Sequence, residues 1–169
     1  MSSNLAAVLP LKAAHSPRGR QLILVDIENV VGGAVLTPAA ARWARTQIES
    51  VLSVRADDHV VIGMSHVGLF DSALAWPGKK YVVNSGPNGA DLALLAEMES
   101  VRVERYDEVV LVSGDGIFTE AVSALIDRGA RVTVLTHRAH CSKRLRLAAH
   151  ETVDLQPGHN ISSDNGAAR

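Results

Sequence analysis

The chain has 169 residues, 47% of them hydrophobic, and its 17 basic and 18 acidic side chains leave a net charge of −1. That is enough apolar material for one packed domain, and so even a balance excludes a protein that coats nucleic acid through bulk positive charge; a polyanion site has to be local. A lone cysteine, Cys141, excludes an intramolecular disulfide, and no apolar run approaches the roughly 20 residues that cross a bilayer, so the expectation is a cytoplasmic protein with no membrane partner.

Residues 1–20, MSSNLAAVLPLKAAHSPRGR, hold a short apolar patch with no basic region before it. They make a poor secretory signal and read as a flexible arm. The core domain is expected over residues 21–156. QLILVD is its first apolar strand, and TPAAARWARTQIESVL its first helix, opened by Thr37 as N-cap with Pro38 at the first helical position. Two strands follow, HVVIGMS and KKYVVN. After the turn signal Asn88-Gly89 comes a helix over ADLALLAEMESVRVE. Then come the strand EVVLVS, the helix FTEAVSALIDRG with Gly129 at its C-terminal end, the strand RVTVLT, the helix SKRLRLAAHE and the strand TVDL. Residues 157–169, PGHNISSDNGAAR, read as a flexible tail. Val- and Ile-rich strands without polar alternation are covered on both faces. The pattern therefore predicts α/β architecture, a single open, mainly parallel sheet between two layers of helices.

In such sheets chemistry collects at the carboxyl ends of the strands. Asp26 ends LILVD, and Asp115 follows VVLVSG. Taken singly, Asp26 reads as a turn former and Asp115 as a helix N-cap. A third acid, Asp91, falls in the first turn of the helix after Asn88-Gly89, at the rim of a stripe continued by Leu95 and Met98. Three carboxylates converging on one cleft repel unless a cation lies among them, and hard oxygen ligands suit Mg²⁺ or Mn²⁺. Such a site is suited to metal-assisted phosphodiester hydrolysis.

These residues carry a family resemblance. ILVDIENV resembles the D-x-x-N motif that ends the first strand of NYN domains, a branch of the PIN-like ribonucleases. GADLALLAE is similar to the family's second acidic element, VVLVSGDGIFTEAVSALIDRGARVTVL to its S-G-D-x-D-F strand, turn and helix, and SKRLRLAAHETVDL to its last helix and strand. The four stand in order over roughly residues 21–155. The resemblance implies a PIN-like, Rossmannoid sandwich and a Mg²⁺- or Mn²⁺-dependent endoribonuclease. Asp26, Asp91 and Asp115 would hold the metal, Asn29 would orient Asp26 or the scissile phosphate, and Ser113 would donate to a carboxylate or phosphate. Gly114 would allow close backbone approach. A homodimer is a further expectation, favoured by any exposed apolar stripe on a helix.

The chain departs from the family pattern where a second aspartate usually follows the first by two residues. Here that residue is Ile117. Either three carboxylates suffice, with Glu28 or Glu120 compensating, or turnover is lost. Asn88 stands near a position where lysine is common in the family, and Glu97 where aspartate is. Six residues from Asp91 is about 120° around a helix, which gives Glu97 a supporting role or a solvated face.

The stretch HRAHCSKRLRLAAHE supplies Arg138, Lys143, Arg144 and Arg146, either a phosphate-binding wall for RNA or a solvated helix face with Leu145 and Leu147 packed inward. His137, His140 and Cys141 lack the fourth ligand of a structural zinc site. Trp43 sits in a helical pattern and reads as core rather than as a base-stacking platform. Two other functions compete with the nuclease. One is a catalytically weakened RNA-binding or protein-interaction module of the same fold. The other is a haloacid-dehalogenase-like phosphatase, which LVDIENV and SGDGIFTEAVSAL also resemble. That chemistry places an aspartate two residues after the nucleophile, and position 28 is glutamate.

Overall fold

A strand apolar on both faces has to be covered on both, and the first strand is: β1 (Gln21–Asp26) is buried at all six positions. It lies inside a six-stranded sheet with β2 (His59–Met64), β3 (Lys80–Val83), β4 (Glu108–Val112), β5 (Val132–Thr136) and β6 (Glu151–Asp154), in the order β3-β2-β1-β4-β5-β6. Every pairing is parallel. The computed structural model describes residues 19–155. Residues 1–18 of the arm expected over residues 1–20, and the tail over residues 157–169, lie outside the described residues, while the Arg20 carbonyl accepts the Asp107 N–H at 2.9 Å.

Side chains alternate between the two layers. Ile23 and Val25 join Val60, Ile62, Val110 and Val112 beneath α1 (Ile27–Val31), α2 (Pro38–Val51) and α3 (Leu69–Ala75). Leu22 and Leu24 join Val61, Val109, Leu111 and Val134 beneath α4 (Gly89–Ser100), α5 (Thr119–Asp127) and α6 (Lys143–Ala148). Each fully buried Leu or Ile contributes on the order of 1.5–3 kcal/mol of transfer free energy, so both layers are anchored by the same central strands. The α/β sandwich expected from the strand pattern is the observed fold, with all strands parallel. As expected, Thr37 caps α2, accepting from Ala40 N at 3.2 Å, and Pro38 opens the helix.

Two helices are additions to the sequence reading. Asp26 caps the start of the short α1 by accepting the Asn29 N–H at 3.1 Å, and Gly32, at φ 78°, ends it. α3 leaves Phe70 and Leu74 exposed, so its apolar residues do not mark one buried stripe. Helix α4 stops at Ser100 instead of running to Glu104, because Val101 and Val103 leave the helix to enter the core. In α6, Leu145 is buried but Leu147 is 72% exposed. The expectation that both pack inward fails because two residues are about 200° of helical rotation apart.

The strand order reverses between β1 and β4. The chain first builds outward through β2 and β3, then returns to the other side of β1. Loops leaving the carboxyl ends of β1 and β4 consequently part to opposite faces, and the crevice between them is where ligands bind open α/β sheets.

Candidate functional site

Asp26 is the last residue of β1 and opens onto that crevice, yet it is only 3% exposed. Two donors fix its carboxylate: Asn29 N reaches Oδ1, and Ser113 Oγ, just past β4, reaches Oδ2 at 2.9 Å. The same Ser113 oxygen accepts the Asp115 N–H at 3.2 Å. Asn29 ties the two loops from the other side, its Oδ1 accepting the Gly114 N–H at 3.0 Å. Gly114 has no room for a Cβ, which would stand 2.6 Å from Thr136 Oγ1 and 2.7 Å from the His140 carbonyl. The D-x-x-N and S-G-D segments are therefore one hydrogen-bonded unit.

Asp91 comes from the first turn of α4. Its carboxyl lines the same cleft as that of Asp26. Burial, with the charge and hydrogen bond of Asp91, pushes the Asp26 carboxyl up to about 7 against the opposing pull of Asn29 and Ser113. Burial also raises Asp91, followed by the charges of Asp115 and Glu28. Asp115 is exposed, with Oδ1 accepting the Ile117 N–H at 2.9 Å. Glu28 Oε1 accepts both the N–H, at 3.0 Å, and the hydroxyl of Ser65 at the end of β2.

Asp26, Glu28, Asn29, Asn88, Asp91 and Asp115 line one cleft of about 230 Å³. Asn88 is held in the left-handed region, φ 57°, and makes no side-chain cap on α4. Among the described residues no three His, Cys, Asp or Glu side chains already close into a metal-binding cage. Asp26, Asp91 and Asp115 are the acids here that could hold a divalent ion, and an ion of the Mg²⁺ type keeps several waters and takes only one or two carboxylates directly. His137, His140 and Cys141 form no such group either.

Other residues singled out in the sequence fall elsewhere. Glu97 binds Lys80 Nζ through both oxygens at 2.7 Å, pinning α4 to the edge strand β3. Glu120 pairs with Arg144 Nη2 at 3.0 Å on an exposed face. Neither lines the acidic cleft. Ile117 turns its side chain onto the layer of α4, α5 and α6. Arg138 and Lys143 are exposed, and the Arg138 N–H caps Asp154 at 2.8 Å. Sequence reasoning missed Ser65, which positions Glu28. Its only signal was its place after the apolar run HVVIGM.

The NYN domain family matches residues 66–156, just over half of the chain. That match begins after β2, so Asp26, Glu28 and Asn29 enter the site through geometry alone. The low amplitude and bright protein LabA of Synechococcus elongatus is 35% identical over 65 residues. The aligned stretch is 38% of this chain and 34% of that protein, so the chain spans about a third of the length of this relative. A crystal structure of a protein of unknown function from Vibrio parahaemolyticus shares the fold at a TM-score of 0.61. It is 20% identical, and the superposition covers 85% of this chain and 97% of that one.

Proposed function

The chain belongs to the NYN domain family, whose members are generally nucleases, and from that premise we propose that it is a metal-dependent endoribonuclease. The observation that carries the proposal is the Asp26–Asp91 pair at the sheet's switch point. Asp26, Asp91 and Asp115 line one cleft at the mouth of the crevice, and acids whose burial and mutual charge raise the Asp26 and Asp91 carboxyls are unfavourable for folding alone and suited to a cation. Asp26, Asp91 and Asp115 would hold Mg²⁺ or Mn²⁺. A bound ion supplies charge for the phosphoryl oxygens and lowers the pKa of its water.

The chain's own residues do the positioning. Ser113 and Asn29 hold the Asp26 carboxylate rigid, and Ser65 fixes one oxygen of Glu28 while the other remains for the cleft. The first turn of α4 lacks a side-chain cap, leaving backbone N–H groups for a phosphate oxygen. Asn29 acts as a tie between loops, with its side-chain nitrogen left to meet substrate. Arg138, which lines the adjoining cleft, and the exposed Lys143 would meet the phosphate backbone as it continues. Arg144 is already engaged by Glu120.

One observation favours the weakened RNA-binding module. Ile117, where an acid is usual, serves as a core contact and not as a ligand. End-labelled RNA incubated with purified protein in Mg²⁺, in Mn²⁺ and in chelator, beside an Asp26→Asn variant, separates the two. Metal-dependent cutting that disappears in the variant is the expected outcome. Equal cutting by both proteins, or none by either, would end the nuclease proposal.

A further inference from the structure

A second and larger cleft, of about 940 Å³, adjoins the acidic one, and Glu28 and Asn29 line both. Its walls come from α1 and α2 on one side and from the residues after β5 and β6 on the other. Their chemistry is that of a slot for a flat, hydrogen-bonding ring. Val30, Val31 and the half-buried Trp43 indole give apolar surface. Opposite them stand His137 and His140, edge to face with ring centroids 6.5 Å apart, and the exposed Arg138. His137 Nδ1 lies 3.0 Å from the Leu155 carbonyl, which can only accept, so Nδ1 is the donor of that bond.

Resting on the nuclease reading, we infer that this cleft is a nucleobase subsite. It takes one base of the RNA strand beside the scissile phosphate, stacked on Trp43 and flanked by His140. Two features favour RNA as the occupant. The cleft is continuous with the acidic site through Glu28 and Asn29, so a base bound here belongs to a nucleotide whose phosphate reaches the carboxylates. The cationic and imidazole side chains on the far wall match a polyanion, and aromatic stacking serves any base. Trp43 therefore does two jobs. Part of it packs against the layer of α1, α2 and α3, and the rest forms the floor of the slot.

The protein carries its own reporter. Trp43 and Trp76 are its two tryptophans, and Trp76 is 1% exposed, a buried reference. With the full chain in chelator, adenosine 5′-monophosphate and an adenylate RNA pentamer should quench the emission saturably, and Trp43→Phe should abolish the quench. By anisotropy of an end-labelled pentamer, Trp43→Leu and the surface change His140→Ala should each weaken binding by on the order of tenfold. A pentamer with one abasic position should lose a similar factor on the wild type and little on Trp43→Leu. RNA binding without quenching, with both variants binding like the wild type, would overturn the subsite while leaving the nuclease proposal standing. Failure to bind either probe would also overturn it. Saturable quenching by a protein that never cuts RNA would keep the subsite and remove the nuclease.

Discussion

Asp26 sets how the protein responds to pH. Its folded carboxyl is raised from 3.8 to about 7, chiefly by burial, so between those values the folded state binds more protons than the unfolded one. A raised acid stabilises the fold fully below the unfolded value, and the stabilisation is lost as pH rises through the folded value. In chelator, urea melts should therefore show stability falling between about pH 4 and pH 7. Asp26→Asn, which keeps an acceptor for Asn29 N and offers an amide toward Asp91, should flatten that slope. The variant should be more stable than the wild type at pH 8 by on the order of 1–3 kcal/mol. A wild-type slope unchanged in Asp26→Asn would place the titration on another group. Ile117 gives the complementary test. Ile117→Asp withdraws a half-buried apolar side chain from its layer and should cost about 1–2 kcal/mol in the same melts. If the missing acid limits turnover, Mn²⁺-dependent cleavage should rise severalfold, and unchanged cleavage would mean that the existing acids suffice.

At the scale of elements, the spacing between α4 and the sheet decides whether Asp91 meets Asp26. Gly63 on β2 pairs with Asp26 in register, and a Cβ there would stand 2.3 Å from Leu94 Cγ, a fully buried side chain of α4. Gly63→Ala should push α4 outward, costing about 1–3 kcal/mol as overpacked cores do. Asp91 moves with the helix, so Mg²⁺ should protect the variant from thermal unfolding less than it protects the wild type. Equal protection would show that α4 placement is not what builds the site. The strands that deliver Asp26 and Asp115 were legible in the sequence because QLILVD and EVVLVS hold short unbroken runs of Leu, Ile and Val, the pattern expected of a strand covered on both faces. The cap at Thr37-Pro38 and the first-turn place of Asp91 were legible for similarly local reasons. The close approach of Gly63 to Leu94 was not, since residues 31 positions apart meet only through the β2–α4 packing. Helix α3 escaped because Phe70 and Leu74 face outward, and Trp43 was read as pure core because a helical pattern does not reveal a cleft at its edge.

For the whole molecule, a net charge of −1 means that no long-range field draws RNA in. An acidic cleft repels phosphate, so attraction has to come from exposed cations. Arg138, which lines the larger adjoining cleft, Lys143 and Arg146 are exposed, while Arg144 is paired with Glu120. Three effective contacts on a single strand give a slope of log K against log salt of roughly −2, far shallower than the slope near −10 of a protein that grips many phosphates. Binding of a labelled pentamer in chelator, measured between low and moderate salt, should show that shallow slope. Lys143→Ala combined with Arg146→Ala should reduce its magnitude by about 1.4. The Trp43→Leu change should shift the whole line downward without altering its steepness, because stacking releases no counterions. A steep slope untouched by the double variant would mean that RNA follows another face of the sheet, away from both clefts.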